Sequence, residues 1–447
     1  MSHGPEDLQH LADQVVEIVG DRAEANVRVV RTRHGLTRFA NSFIHQHVGE
    51  DTVSVAVTLA VDGRTASSST TRVAEDDLRT LVDDTIESAR LQPVDAHWPG
   101  ATPPAAIDGS GNLDGETADC APDRRAAGVK DFIDAGPELR SAGYLDTEAD
   151  IVAFSSTAGQ RATGGTSRAT IDGIHQTERS AGSGHQTSVR FAQLDPGRAG
   201  EVAADRARRS AAFVDVDPGR FEVVLHPEAV ATMLIFLAFY GFNAKTHLEG
   251  QSFVTLGEQQ FDPSITLVED PSDPRAIALP FDAEGTPRQR FALVEDGVTR
   301  ALANDRRTAR RAGTTTTGSA VPGGEAFGAV PLNVVMPGGD TSPEAMVTDV
   351  ERGLLVTSFH YCRVLDPKSQ VVTGLTRNGT FLIEDGELVG DVGNLCYTQS
   401  FLEALGEGRV LAVGDDDRYA DSEFGAGRVI CPSLRLAEWN FTGGARG

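Results

Sequence analysis

The sequence predicts an α+β protein, with an N-terminal antiparallel sheet and its helices, a polar middle unit, and a mostly-β C-terminal domain carrying one apolar helix. Three observations lead there. Two stretches with apolar residues at helical spacing flank a run of alternating strands within the first 92 residues. A Pro- and Gly-rich segment follows, as linkers do. Beyond Pro218-Gly219 the chain breaks into many short apolar runs punctuated by Gly and Pro, the pattern of short strands and turns. The expected organisation is an N-terminal α+β domain (1–92), a linker (93–118), a middle domain (119–216) and a C-terminal domain (220–447).

Element by element, residues 6–19 read as a helix with Leu8, Leu11, Val15, Ile18 and Val19 on one face. Strands are expected over 26–33 and 36–48. A third follows from the alternation of Val53, Val55, Val57, Leu59 and Val61, closed by Asp62-Gly63 as a hairpin turn. Residues 75–91 form a second helix that buries Leu78, Leu81, Val82, Ile86 and Ala89. The middle domain should hold a helix over 124–142, two strands rich in Ser, Thr and Gly (151–163 and 168–178), and a charged helix over 198–212. In the C-terminal domain a helix is expected near 227–240, with an apolar stripe of Ala229, Val230, Met233, Leu234, Leu237 and Ala238.

Composition narrows the function. With 40 basic and 65 acidic residues the net charge is −25, which repels nucleic acid and anionic membranes and favours a small-molecule or protein partner. Cys120, Cys362, Cys396 and Cys431 are too few and too scattered for a disulfide framework, a reducing-compartment pattern. The N-terminus lacks the basic and apolar regions of a signal peptide, and the apolar run 233–242 falls well short of the roughly 20 residues of a membrane span. A cytoplasmic location is expected. No Gly-x-Ser-x-Gly elbow, P-loop or dinucleotide fingerprint is present.

The most informative stretch is Phe221-Glu-Val-Val-Leu-His-Pro-Glu-Ala-Val-Ala-Thr232. Together with Pro280-Phe-Asp-Ala-Glu-Gly-Thr-Pro287, the threonine tract 314–318, Val371-Val-Thr-Gly-Leu-Thr-Arg-Asn-Gly-Thr-Phe381 and Val392-Gly-Asn-Leu395, it resembles the TldD/PmbA family along essentially the whole chain. The last of these segments, with Leu405 and residues 413–415, is more similar to the PmbA branch, also called TldE, than to TldD. Metal-bearing members of the family carry an HExxxH zinc motif where this chain reads Pro227-Glu228-Ala-Val-Ala-Thr232. Zinc needs imidazole, thiolate or carboxylate donors, so of that motif only Glu228 remains. Two His five apart lie about 140° around a regular helix, so the motif also needs a local π-type distortion. The run after Pro227 has the spacing of an ordinary helix, with Pro227 in the first turn and Glu228 serving the helix dipole there. The family's third ligand is a Cys in a Gly-rich segment whose counterpart here, 415–427, has none; the role is not carried over to Cys431.

No residue emerges as a firm catalytic or metal-binding group. Glu228 is the candidate acid or base, weighed against plain helix capping. His226 forms a His-x-Glu triplet with it but lacks the Pro-Cys-x-x-Cys of zinc deaminases, which favours a histidine at a strand end. His360 and Cys362, two apart on a strand and hence on one face, are further metal candidates without a second pair, and His45 and His47 share an exposed strand face. The resemblance implies a zinc-site-less subunit of a cytoplasmic peptidase complex. Its partner would be a TldD-like homologue, which would hold the zinc while this chain holds no cofactor. A self-sufficient metallopeptidase with a displaced site and a stand-alone peptide-binding homodimer are the alternatives.

Overall fold

The computed structural model describes residues 4–422 and 425–444. The α+β class expected from the sequence is the class observed. In chain order, helix α1 (Pro5–Val19) leads into strands β1 (Glu24–Ala40), β2 (Phe43–Val61) and β3 (Arg64–Thr70), then helix α2 (Glu75–Leu91). Short α3 (Gly115–Ala118) and α4 (Pro122–Asp134) precede β4 (Arg140–Ser156), β5 (Arg161–Gln176), β6 (Ala181–Ser188) and helix α5 (Pro196–Arg209).

These elements form one antiparallel sheet in the order β3-β2-β1-β4-β5-β6. That corrects the domain boundary drawn at 93–118. Because β1 pairs with β4 from Asn26↔Ser156 to Phe39↔Gly143, residues 1–92 and 119–216 share a ladder and are not separate domains. The strands are also longer than alternation suggested. β1 and β2 run 17 and 19 residues and turn at Asn41-Ser42, whose φ values of 52° and 62° suit the twisted two-residue hairpin. Gly35, between the strands expected over 26–33 and 36–48, sits in mid-strand opposite Gly49. A Cβ there would lie 2.5 Å from the guanidinium of buried Arg125, which donates to the Cys120 carbonyl and Thr147 Oγ1. The helix expected over 124–142 stops at Asp134, since Gly136-Pro137 cannot continue it and β4 begins at Arg140.

Helices α1 and α2 bury the face bearing Val27, Val29, Val55, Val57 and Leu59. Helices α4 and α5 continue over that face at Phe39, Leu145 and Ile171. The opposite face, with Val152 and Phe154, meets Phe281 of the C-terminal unit.

That unit begins with β7 (Gly219–Leu225) and α6 (Pro227–Phe236), followed by α7 (Ala244–Leu248), β8 (Leu267–Glu269), β9 (Phe291–Glu295), β10 (Val298–Thr299), α8 (Arg306–Ala312) and β11 (Val334–Val335). After α9 (Pro343–Thr348) come β12 (Arg352–Val356), β13 (Phe359–Asp366), β14 (Val371–Thr376), β15 (Thr380–Glu384), β16 (Glu387–Asp391), β17 (Leu395–Ser400), α10 (Phe401–Ala404), β18 (Val410–Val413), β19 (Arg418–Ser422), β20 (Gly425–Cys431) and β21 (Leu434–Gly444). A nine-stranded sheet runs β13-β14-β17-β21-β7-β12-β15-β16, with β18 on β21, and a six-stranded one β10-β9-β8-β11-β20-β19.

Helix α6 lies in the core between them, against residues of β7, β12 and β20. It is therefore buried all round: Ala231, Thr232 and Phe236 are as enclosed as the expected stripe. A helix apolar on every side belongs inside a protein. Its last turn, Leu237–Gly241, is a π-helix, so the distortion that the sequence reading excluded exists, but one turn beyond the 227–232 frame. It ends where Gly241 packs on Phe253, whose ring would lie 1.9 Å from a Cβ.

Close glycine contacts also set the position of α5. A Cβ on Gly184 of β6 would lie 1.9 Å from the Ala199 carbonyl oxygen of α5. Gly184→Ala must push the helix off the sheet, and overpacking of this kind costs about 1–3 kcal/mol. Denaturant unfolding of Gly184→Ala should show a loss in that range; an unchanged midpoint would mean that α5 is not seated by this contact.

Candidate functional site

The first turn of α6 carries the residues of the motif frame. His226 is the residue before the helix and Pro227 its first residue, the position where a missing N–H costs nothing. The Glu228 carboxylate does not cap the helix with a side-chain hydrogen bond. Its Oε1 pairs with the Arg418 guanidinium of β19 at 2.7 Å, with only 13 % of the Glu228 side chain exposed. Oε2 is buried and, among the described residues, accepts no hydrogen bond. A second guanidinium, Arg206 of α5, donates to His226 Nδ1 at 2.9 Å and to the Ser183 carbonyl. Accepting that bond fixes the His226 tautomer with its proton on Nε2.

The electrostatics follow from this enclosure. Burial opposes ionisation of Glu228, but Arg418 and Arg206, with His185 and His226 behind them, outweigh it and hold the carboxyl at about 2. Burial, reinforced by Arg206, holds the His226 imidazole down at about 3, so it is neutral at physiological pH. The cluster extends along the two sheet edges. His185 of β6 faces Asp421 of β19 at 3.4 Å. Burial, with Asp421, Glu228 and Asp146 nearby, pushes the Asp172 carboxyl up.

Zinc does not fit these residues. Pro227 offers no donor, and Thr232 Oγ1 donates to the Glu228 carbonyl at 3.0 Å. Cys431 does return to the motif, with its sulfur 3.3 Å from the Pro227 carbonyl. Burial pushes that thiol well above its ordinary range. Two guanidinium groups already supply the positive charge that Glu228 needs, and a dication beside them would be repelled. Among the described residues no group of three or more His, Cys, Asp and Glu is arranged to hold a metal ion.

The other candidates stay apart. His360 contacts Arg377, whereas Cys362 lies in the core with its sulfur 3.0 Å from the Tyr397 hydroxyl. The shared face expected for them fails because the β13–β14 pairing shifts register between His360 and Arg363, with Tyr361 at φ 54°. His45 and His47 lie exposed on β2. Arg206, Arg418, His185 and Asp421 were not singled out from the sequence. The one available signal was Arg418 itself, an arginine within the segment searched only for a cysteine.

Two outcomes follow. Between pH 6.5 and 3 the unfolded chain binds a proton at His226 that the folded protein refuses, so stability falls on acidification by at most about 1.4 kcal/mol per pH unit. The Glu228 contribution is complete above about pH 4.5 and is lost only as pH falls toward 2. Unfolding of His226→Asn at pH 7 and pH 5 should therefore show a drop smaller than wild type by about 1–2 kcal/mol, and an identical drop would contradict the buried neutral imidazole. Glu228→Gln should lose about 1–3 kcal/mol at pH 7, more than a dipole contribution alone, because it strands Arg418; the value lies below that of a fully buried pair because 40 % of Arg418 is exposed.

Residues 218–443, just over half the chain, match the family described as PmbA/TldA metallopeptidase C-terminal domain. A metalloprotease of Methanothermobacter thermautotrophicus is 28 % identical over 206 residues, 45 % of this chain and 44 % of that protein. A metalloprotease TldD homolog of Buchnera aphidicola is 25 % identical over 205 residues, 44 % of this chain and 41 % of the relative. The chain thus spans less than half the length of these curated relatives. The crystal structure of TldE from Thermococcus kodakarensis shares the fold, with a TM-score of 0.84 at 18 % identity over 98 % of this chain and 100 % of that one. From the matched domain, the chain belongs to the PmbA/TldD family of metallopeptidase-related proteins.

Proposed function

We propose that this protein is the non-catalytic partner subunit of a TldD/TldE-type zinc peptidase acting on peptides in the cytoplasm. The observation that carries the reading is the Glu228–Arg418 pair in a frame that reads Pro227 and Thr232. A peptidase metal polarises the scissile carbonyl and acidifies water. The residues in this frame have no electrophile to do either, so the chain's contribution comes through contact with a zinc-bearing homologue.

The open edge of β2 is consistent with a role in holding extended peptide. β3 pairs only with residues 55–61 of that strand, so among the described residues 43–54 have no strand on that side. Edges of this kind accept an added strand through main-chain hydrogen bonds that tolerate any sequence.

Co-expression with the TldD-like homologue of the same genome should give a heterodimer that survives gel filtration and cleaves peptides, with zinc in the homologue. This chain alone should be inert and carry far less than one zinc per molecule by elemental analysis. Near-stoichiometric zinc with cleavage by the isolated chain would establish a self-sufficient enzyme instead. Failure to co-purify with any homologue would favour a stand-alone peptide-binding homodimer.

A further inference from the structure

The lane outside β2 in the N-terminal sheet is only partly filled. β3 occupies it along 55–61 and ends at Thr70, which pairs with Val55. Beyond that point residues 43–54 have no strand beside them among the described residues, while β1 runs along their inner side. Gln46, His47, Gly49, Glu50, Asp51 and Thr52 are exposed there. Edges of soluble proteins are commonly guarded by Pro or Lys, and this stretch has neither. It ends instead in Phe43 and Ile44, 57 % and 40 % exposed, beside a bulge that leaves His45 out of the β1 ladder.

This edge is complementary to itself. An edge pairs antiparallel with its own copy only about a two-fold axis perpendicular to the sheet, which keeps every residue on its original face. Residues equally far before and after the axis then lie opposite each other. An axis at Glu50 or Asp51 sets two carboxylates against each other, and one at Gly49 drives the second copy's Phe43 into the place of Thr70. An axis at Val48 does neither. It sets His47 against Gly49 and Gln46 against Glu50, so that an amide N–H can donate to a carboxylate. Among the described residues Gln46 and Glu50 have no hydrogen bond or ion pair of their own. Asp51, held by Arg31 at 2.7 and 2.8 Å, meets no second acid. Phe43 and Ile44 reach Val53 and Thr52 of the second copy, which covers the exposed apolar end.

We propose that, in the absence of another partner, two copies of this chain pair edge to edge through β2 about a two-fold axis at Val48. The ladder over 43–53 is about 37 Å long at roughly 3.4 Å per residue. A ladder alone buries less than the roughly 1,200–2,000 Å² of a standard interface, so the dimer is reversible. Each chain carries −25, and at physiological ionic strength repulsion between exposed charges more than about 8 Å apart is largely screened. The proposal does not rest on the partner-subunit reading; it adds that a second copy and an extended peptide compete for one lane.

Analytical ultracentrifugation of the full chain tests it. At about 50 μM chain and about 0.15 M salt most of the protein should sediment at twice 47.4 kDa, with a Kd of about 10 μM or tighter. Val48→Lys and Val48→Glu each place like charges across the axis, where opposed side chains are about 5 Å apart. Each should weaken the dimer at least tenfold with an unchanged far-UV spectrum. Mixing the two variants should restore it, which neither misfolding nor a different interface would do. A monomeric wild type at this concentration, a dimer indifferent to Val48→Lys, or a mixture that stays monomeric would overturn the assignment. If such a monomer still joins the homologue, or takes an extended peptide at this edge, the lane belongs to them and the partner-subunit reading stands.

Discussion

Burial of α6 on every side is the constraint that organises the chemistry of this protein. A helix seated between two sheets has no solvent for the polar groups at its first turn, so neighbouring elements must satisfy them. Glu228 and His226 are satisfied from opposite directions, by Arg418 from the last strand of the six-stranded sheet and by Arg206 from a helix packed on the N-terminal sheet. The two halves of the chain therefore meet at this cluster as well as where Val152 and Phe154 pack on Phe281.

That cluster uses guanidinium groups where metal-bearing relatives, by the resemblance in sequence, use zinc. The substitution is chemically coherent. A carboxylate at a buried helix start requires compensating positive charge, and arginine supplies it in a fixed, always-ionised form with several directed donors. Neutral His226 completes the set as an acceptor. The result is a unit of packing and paired charge at the start of α6.

Precise seating of α5 makes this arrangement possible. The helix reaches β6 closely because Gly182 and Gly184 leave room for its backbone at Ala199, Ala203 and Ala207, while Gly200 lets α4 approach at Phe132 and Ala135. The approach brings Arg206 within reach of a residue in the C-terminal unit. Gly35 serves similarly, admitting the Arg125 guanidinium into the middle of a long strand.

The sequence alone determined the elements whose signals are local: α1, α2, the alternation ending at Asp62-Gly63, the β-rich character after residue 218, and the family resemblance carried by contiguous motifs. It also determined that residues 227 and 232 offer no imidazole. Tertiary structure decided what depends on pairing at a distance. Whether β1 pairs with β4 is set by contacts more than a hundred residues apart, so two apparent domains proved to share a sheet. The strands expected over 26–33 and 36–48 are one strand with Gly35 inside it, because the guanidinium that requires a glycine there comes from Arg125, on another element. His360 and Cys362 diverged because a bulge, invisible to two-residue periodicity, intervenes. Arg206 and Arg418 were ordinary charged residues in sequence; only the folding of α5 and β19 around a buried helix start placed them at Glu228, since a charge acquires its role from what surrounds it in space.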